Sequence, residues 1–189
     1  MESAAVLSLF RSSGALLEGH FRLSSGLHSA GYLQCALVLQ HPRHAETLGR
    51  ALGDVLRDLG GNVVLSPALG GLIIGHEVGR ALGVRAIFAE RQDGVLTLRR
   101  GFSLSPADRV LVIEDVVTTG GSTRETMNVA TAAGATVVGA GAIIDRSGGA
   151  PGLAGPFRAL VTLTLATYQP EACPLCAAGA PITKPGSRT

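Results

Sequence analysis

Apolar residues along this chain occur either in short continuous runs or at helical spacing. Continuous runs are typical of strands buried on both faces of a parallel sheet, and they cover residues 62–66, 84–89, 109–113 and 135–144. Apolar positions that recur every three or four residues predict helices over 42–59, 72–82 and about 122–133. Strands that alternate with such helices predict an α/β fold with a mostly parallel sheet flanked by helices.

The two ends of the chain depart from this alternation. Residues 3–11 predict a short opening helix and residues 157–165 an edge strand, whereas turn signals between short apolar pieces predict a small antiparallel hood over residues 20–39. A chain of 189 residues suits one hydrophobic core. We therefore expect a single domain over 1–189, with a core of about 41–165 and a hood built from about 1–40 and the C-terminal tail.

Composition argues against several classes of function. The formal net charge of +2 offers no broad basic face, so no nucleic-acid partner is expected. The longest uncharged stretch, residues 126–144, contains polar residues and glycines, so no membrane span is expected. The first residues carry Glu2 and no basic segment before an apolar one, which predicts a soluble, cytoplasmic protein. Three cysteines cannot form a disulfide framework.

The most specific pattern is the run VLVIEDVVTTGGSTRE, residues 110–125. Its first four residues predict a buried strand, so Glu114 and Asp115 emerge at the carboxyl end, where open α/β sheets bind ligands. Two adjacent carboxylates can accept hydrogen bonds from two neighbouring ribose hydroxyls. The hydroxyls and glycines of 118–123 offer donors at a helix start, which suit a phosphate group. A Walker A loop is excluded because the only lysine is Lys184.

This run resembles the PRPP-binding motif of type I phosphoribosyltransferases: an apolar strand, two acidic residues, two apolar residues and a loop rich in Thr, Gly and Ser. The resemblance implies that the chain binds 5-phosphoribosyl 1-diphosphate (PRPP) and that Asp115 is catalytic. The implied PRPP contacts are Arg91, Glu114, Asp115, Val116, Val117, Thr118, Thr119, Gly120, Gly121 and Ser122. Mg²⁺ is the implied cofactor, held mainly by PRPP itself, with Asp115 reaching the ion through water.

A second loop connects the first predicted parallel strand to its helix. It contains Ala68, Leu69, Gly70 and Gly71, and glycines there let backbone N–H groups approach a ligand closely. By resemblance to the same family, this position is the pyrophosphate loop. The alternative is an ordinary turn between a strand and a helix.

Two further segments resemble orotate phosphoribosyltransferases in particular. The segment from Phe21 to Gly26, followed by Ser29 and Tyr32, is similar to their base-binding hood. Arg146 follows the fourth strand, and a guanidinium group can bind the carboxylate of orotate through two parallel hydrogen bonds. The implied orotate contacts are Ser24, Thr118 and Arg146. The alternative is that Arg146 is a solvated surface residue.

Residues 90–102 correspond to the mobile catalytic loop of the family. The best-known members carry catalytic lysines in this loop, and this chain has none there. The resemblance implies that Arg91 takes their place, with Arg99 and Arg100 as the other candidate cations. It also implies a homodimer in which the loop closes over the neighbouring subunit's site. The alternative is a β-hairpin with a charged tip.

Cys173 and Cys176 have the spacing of one half of a zinc site. A closed site needs four ligands, so the other half would come from a second subunit, or from Cys35 and a histidine. The sequence favours the other interpretation, in which the two cysteines are reduced thiols without metal in a tail that packs on a dimer, and zinc is the alternative. The five histidines show no metal-ligand spacing of their own.

The resemblance therefore implies a pentosyltransferase. It would transfer the 5-phosphoribosyl group of PRPP to orotate and give orotidine 5′-phosphate and pyrophosphate, a step of pyrimidine (UMP) biosynthesis. Two alternatives stay open: a related phosphoribosyltransferase that uses a purine or uracil, and a PRPP-sensing regulator without catalysis.

Overall fold

The structure is a computed structural model that describes residues 1–23 and 25–184. These residues form a six-stranded sheet and a separate three-stranded sheet. The predicted α/β class is confirmed, because helices cover a larger sheet whose strands are mostly parallel. Among the helices of the described ranges, none combines the length and the apolar character that crossing a membrane requires.

The elements follow the sequence prediction closely. The strands are β1 (Leu16–Arg22), β2 (His28–Leu33), β3 (Val63–Pro67), β4 (Arg85–Gln92), β5 (Val95–Leu98), β6 (Arg109–Val117), β7 (Thr136–Asp145), β8 (Phe157–Thr162) and β9 (Thr167–Tyr168). The helices are α1 (Ser3–Ser12), α2 (Cys35–Leu39), α3 (Pro42–Leu56), α4 (Gly71–Leu82), α5 (Gly121–Ala132) and α6 (Pro174–Ala177). Short 3₁₀ turns at Arg57–Leu59 and Pro170–Ala172 follow α3 and precede α6.

The core lies on both faces of the larger sheet, whose strand order is β5-β4-β3-β6-β7-β8. All neighbouring strands in it are parallel except β4 and β5. Successive side chains of a strand point to opposite faces. Val64 and Leu111 accordingly pack with α1 to α4 on one face, whereas Val63 and Val110 pack with α5 on the other. This double burial explains why the strands read as continuous apolar runs.

Three strand ends differ from the prediction by three residues or more. Strand β4 continues beyond residue 89 to Gln92, because it keeps pairing there with β5. Strand β6 does not end at residue 113 but continues to Val117, because Val116 and Val117 keep pairing with β7. Glu114 and Asp115 therefore lie inside the carboxyl-terminal half of the strand rather than beyond it. At the sheet edge, β8 ends at Thr162 instead of residue 165.

The three-stranded sheet is the hood, with strand order β1-β2-β9. Its strands are antiparallel, as predicted. The C-terminal tail extends it, since the backbone N–H of Arg22 donates to Thr183 (2.8 Å) and the N–H of Thr183 donates to His20 (2.9 Å). Helix α2 begins directly after β2 and leads from the hood to the larger sheet.

Candidate active site

The candidate site lies where β3, β6 and β7 end side by side. Neighbouring parallel strands bring their carboxyl ends to one edge of the sheet, and the loops that follow them meet there. The loop after β3 contains Ala68–Gly71, and the loop after β6 contains Thr118–Gly120. Arg146 follows β7. The structure thus brings together the predicted pyrophosphate loop, the predicted phosphate loop and the predicted orotate arginine.

Gly70 is needed where the first of these loops meets β6. A methyl group on its Cα would lie 2.8 Å from Oδ1 of Asp115, closer than atoms pack. Gly71 is equally confined, because its added Cβ would lie 2.8 Å from the carbonyl oxygen of Ile113. The loop after β3 therefore lies directly against Asp115, and its exposed backbone is available to a ligand held by that carboxylate.

Glu114 connects β6 to the start of α5. Its side chain is buried, with 6% of the residue exposed, and Oε1 accepts a hydrogen bond from the Ser122 hydroxyl (2.6 Å). A carboxylate near a helix N-terminus is also favoured by the helix dipole. Glu114 thus fixes the position of the phosphate loop, and one of its oxygens is already engaged within the protein.

The phosphate loop has a left-handed turn at Gly120, where φ is 72°. An added Cβ there would lie 2.5 Å from the carbonyl oxygen of Pro151, so only glycine fits. Arg124 fixes this turn, because its Nη1 donates to the carbonyl oxygens of Thr119 (2.8 Å) and Pro151 (2.9 Å). Sequence reasoning missed Arg124, since its partner Pro151 lies far away along the chain.

Asp115 is the partly exposed member of the acidic pair. Its Oδ1 accepts a hydrogen bond from the N–H of Val116 (2.9 Å), and the Cys35 thiol at the start of α2 lies beside the carboxylate. The contact to Cys35 brings the end of the hood to the site, and nothing in the sequence pairs these two residues. Asp115 therefore faces the cleft between the hood and the sheet.

Thr118 and Arg146 lie side by side at the ends of β6 and β7. The N–H of Arg146 donates to the carbonyl oxygen of Val117 (2.7 Å), and Thr118 is the next residue. Asp145 shapes the turn beyond, because its carboxylate accepts hydrogen bonds from Ser147 and Gly149. Burial lowers the pKa of Arg146, and its Nε has no acceptor among the described residues. An anionic ligand would satisfy that buried donor.

The structure gives less support to the other predicted substrate contacts. Val117 is buried, so it can contribute only backbone atoms, and Val116 packs partly into the core. The hydroxyl of Ser29 in the hood donates a hydrogen bond to the carbonyl oxygen of Ala166 (3.0 Å). Ser24, predicted as an orotate contact, lies outside the described residues.

The predicted catalytic loop is a short hairpin of β4 and β5 that turns at Asp93 and Gly94, both with positive φ. Its three arginines are ion-paired. Arg91 binds Glu125 in the first turns of α5 (2.6 Å), and Arg100 binds Glu90 through Nε (2.9 Å). Arg99 contacts Glu90 more loosely (3.9 Å). Arg91 is thus the arginine tied to the helix that begins at the phosphate loop.

The two site carboxylates share an unfavourable electrostatic environment. Burial raises the pKa of Glu114 to about 7, with the adjacent Asp115 acting in the same direction and the Ser122 hydrogen bond opposing it. Burial also raises the pKa of Asp115. In the folded protein these two carboxylates therefore hold a proton more tightly than they do in the unfolded chain. A cationic or hydrogen-bond-donating ligand would restore the charged forms.

This shift predicts a pH dependence of stability. Because the folded state holds a proton on Glu114 that the unfolded state loses near pH 4.5, the free energy of unfolding should fall as pH rises from 4.5 to about 7. Glu114→Gln removes this loss and should gain roughly 3 kcal/mol over the parent at the upper end of the window. Urea unfolding of the parent and the variant over a pH series measures this difference in the free energy of unfolding. In the control Glu2→Gln, at an exposed position, the free energy of unfolding should vary with pH as in the parent. The same parallel behaviour of Glu114→Gln would show that the Glu114 carboxyl is freely solvated and would contradict the prediction.

The fold and the loops around Asp115 define a type I phosphoribosyltransferase. The chain is 55% identical over 183 residues to the orotate phosphoribosyltransferase of Pelotomaculum thermopropionicum, covering 97% of this chain and 96% of that protein. It is 54% identical to the enzyme of the same name from Heliobacterium modesticaldum, with full coverage of both. The chain belongs to the orotate phosphoribosyltransferase family. A scan against family models gave no match.

Solved structures show the same fold. The crystal structure of Mycobacterium tuberculosis orotate phosphoribosyltransferase in complex with PRPP has a TM-score of 0.68 at 25% identity, over 85% of this chain and 96% of that one. The orotate phosphoribosyltransferase from Aeropyrum pernix has a TM-score of 0.67 at 24% identity, over 84% and 93%.

Proposed function

We propose that the cleft between the hood and the ends of β3, β6 and β7 is the catalytic centre at which this pentosyltransferase converts orotate and PRPP to orotidine 5′-phosphate and pyrophosphate. The observation that carries the assignment is the meeting of three anion-binding elements around Asp115. These are the loop at Gly70, the loop at Thr118–Ser122 and the half-buried Arg146. A substrate with a phosphate, a diphosphate and a carboxylate partner matches this set.

Each element takes one part of the substrates. The N–H groups of Thr118–Ser122 and the Thr119 hydroxyl hold the 5′-phosphate at the start of α5, where the helix dipole favours an anion. Asp115 accepts hydrogen bonds from the ribose hydroxyls, while Glu114 holds the loop through Ser122. The backbone of Ala68–Gly71 binds the diphosphate, and Thr118 and Arg146 bind orotate, together with Ser24.

The reaction then needs positioning more than acid–base chemistry. The C1′ bond to pyrophosphate stretches, an oxocarbenium-like ribose develops, and a nitrogen of the orotate anion attacks the opposite face. The charge of orotate is on its carboxylate, so the attacking ring nitrogen must also release its N–H proton. The departing pyrophosphate is basic enough to accept that proton, so no strong protein base is required. Fixing two substrates in this geometry can contribute roughly 7–11 kcal/mol to lowering the barrier.

Mg²⁺ is the cofactor that fits this site. The ion prefers few protein carboxylates and keeps several waters, and Asp115 offers a partly exposed carboxylate beside the diphosphate loop. Asp115 would reach the ion through water while PRPP supplies most ligands. When bound, Mg²⁺ offsets the charge that builds on the departing pyrophosphate.

We also propose a cytoplasmic homodimer in which the β4–β5 hairpin acts on the neighbouring subunit. Apolar surface next to the site supports a dimer, because Leu69 is 82% and Ile73 is 45% exposed. Arg91 leaves Glu125 when the hairpin closes, and its guanidinium then binds the diphosphate and helps to exclude water.

Pyrophosphate release tests the substrate assignment directly. Purified protein is mixed with PRPP, Mg²⁺ and one base from a panel of orotate, uracil, adenine, guanine and hypoxanthine. Orotate alone should give rapid release, since only orotate carries the carboxylate that Arg146 binds. Faster release with uracil or a purine would identify another acceptor. PRPP binding without release for any base would identify a regulator.

Mixing two inactive variants tests the action of the hairpin across the dimer. Arg91→Ala and Asp115→Asn subunits are unfolded together, refolded and assayed. If the hairpin acts on the partner, each mixed dimer has one intact site, and the equimolar mixture should regain about a quarter of the parental activity. Recovery no greater than that of the separately refolded variants would show that Arg91 serves its own subunit.

A further inference from the structure

Four potential metal ligands converge where the C-terminal tail crosses the hood, remote in sequence from the catalytic loops. The cluster consists of His20, His28, Cys173 and Cys176, and is called here the Cys/His cluster. Their ligand atoms all lie within 4.8 Å of one another. His20 lies on β1 and His28 on β2, whereas Cys173 directly precedes α6 and Cys176 lies within it. The predicted cysteine pair thus has a second half, supplied by histidines of the same chain.

The contributions of the histidines depend on the pairing of β1 with β2. Arg22 pairs with His28, so His20, two residues earlier, points to the same face of the hood as His28. The register of β1 against β2 shifts between Glu18 and Phe21, so side chains do not alternate regularly along the whole of β1. The histidines show no metal-ligand spacing in the sequence because this proximity arises only through strand pairing. Cys35, the other candidate ligand, lies instead beside Asp115.

The distances inside the cluster resemble the edges of a coordination tetrahedron. Zinc bound to sulfur at about 2.3 Å and to nitrogen at about 2.05 Å gives N–N edges of about 3.3 Å and N–S edges of about 3.6 Å. In the protein, His20 Nε2 lies 3.0 Å from His28 Nδ1, and three of the four sulfur–nitrogen distances are 3.3 to 3.7 Å. All the ligand atoms lie within 4.8 Å of one another. The space between the four atoms therefore suits one zinc-sized ion.

The surroundings orient the ligands as a metal site requires. The His20 Nδ1–H donates to the carbonyl oxygen of Ala180 (2.9 Å), which leaves the lone pair of Nε2 facing the cluster. Ala180 is held in turn by its N–H, which donates to Leu175 in α6 (3.0 Å). Three members, His20, His28 and Cys173, are buried, with 4%, 7% and 3% of their surface exposed. Two thiolates, two neutral imidazoles and Zn²⁺ give a site without net charge, which suits burial.

We propose that the Cys/His cluster is a structural zinc site that fastens the C-terminal tail to the hood. Zn²⁺ binds both sulfurs and both ring nitrogens, and the two thiols release their protons to solvent as the Zn–S bonds form. All four positions are taken by protein, so the ion is structural rather than catalytic. It joins residues about 150 positions apart in sequence. It therefore restrains the hood strands that lead, through α2, to Asp115.

Metal analysis of the untagged protein tests this proposal without relying on turnover. Protein produced in zinc-supplemented medium and dialysed with reductant should contain one zinc per chain by mass spectrometry of the elements. After exchange into Co²⁺, it should show intense tetrahedral d–d bands with thiolate-to-cobalt charge transfer. X-ray absorption should find two sulfur and two nitrogen neighbours. Substoichiometric zinc in this reduced protein, with no uptake of added Zn²⁺ or Co²⁺, would overturn the proposal.

Variants assign the ligands and separate this site from the catalytic proposal. Cys176→Ser and His28→Gln should each lower zinc retention during dialysis against a chelator and lower the midpoint of thermal unfolding. Cys35→Ala and His44→Gln, which alter a cysteine and a histidine outside the cluster, should retain one zinc. Equal retention by all four would contradict the assignment. A Cys173–Cys176 disulfide in the protein as isolated without reductant, with no zinc bound, would contradict it too. PRPP turnover enters none of these measurements.

Discussion

Replacing Asp115 with asparagine should lower kcat/KM for PRPP by about 10²–10³-fold, which corresponds to about 2.7–4 kcal/mol of transition-state stabilisation. The amide keeps the shape of the carboxylate and can still accept from the N–H of Val116. It loses the charge that, in the proposed complex, faces the ribose hydroxyls and the water-linked Mg²⁺. Steady-state kinetics with saturating orotate and Mg²⁺ measure the effect.

Stability separates this catalytic loss from misfolding. Because burial raises the pKa of Asp115, the charged carboxylate is unfavourable in the ligand-free fold, and the asparagine variant should unfold at the same or a higher temperature. Asp108→Asn is the matched control. Asp108 precedes β6 at the opposite edge of the sheet, where it binds Arg85 (3.0 Å), so its replacement should leave kcat/KM unchanged. Parental kinetics for Asp115→Asn would refute the ribose role.

Replacing Arg146 with alanine should raise KM for orotate by about 10–100-fold, the range expected when a charged hydrogen-bonded partner is lost. KM for PRPP should change little, because the diphosphate and phosphate loops stay intact. Arg146→Lys should recover only part of the affinity, since an ammonium group cannot form two parallel hydrogen bonds to a carboxylate. Initial-rate kinetics with each substrate varied in turn measure the difference.

Arg158→Ala provides the comparison for this variant. Arg158 is the second residue of β8, at the far edge of the sheet, and binds Asp58 and the carbonyl oxygen of Val55. Its loss should affect stability and leave both KM values unchanged. If Arg146→Ala raised KM for PRPP as much as KM for orotate, Arg146 would be a structural residue of the turn after β7.

The sequence predicted the fold well because the relevant signals are local. Strands buried on both faces give continuous apolar runs, and the helices between them show a single apolar face. The extension of β6 to Val117 was missed because acidic residues interrupt the apolar run. Their cost inside a strand is offset by Ser122 and by the cleft, and neither is visible in the pattern of β6 alone.

Two loops of the candidate site also carry local signals in the sequence. The loops at Gly70 and Gly120 carry their own glycines, so their positions can be predicted from the sequence. Contacts between distant segments cannot be predicted in this way. Arg124 with Pro151, Cys35 with Asp115, and His28 with Cys176 are each joined only by tertiary structure. Such pairs have no characteristic periodicity or spacing, so they cannot be predicted from a single sequence.

A crystal structure of the protein with PRPP and Mg²⁺ tests the central claim most directly. We expect the backbone of Thr118–Ser122 to bind the 5′-phosphate and Asp115 to accept hydrogen bonds from the ribose hydroxyls. The diphosphate should lie against Ala68–Gly71. PRPP bound elsewhere, or a ribose that leaves Asp115 without a contact, would contradict it.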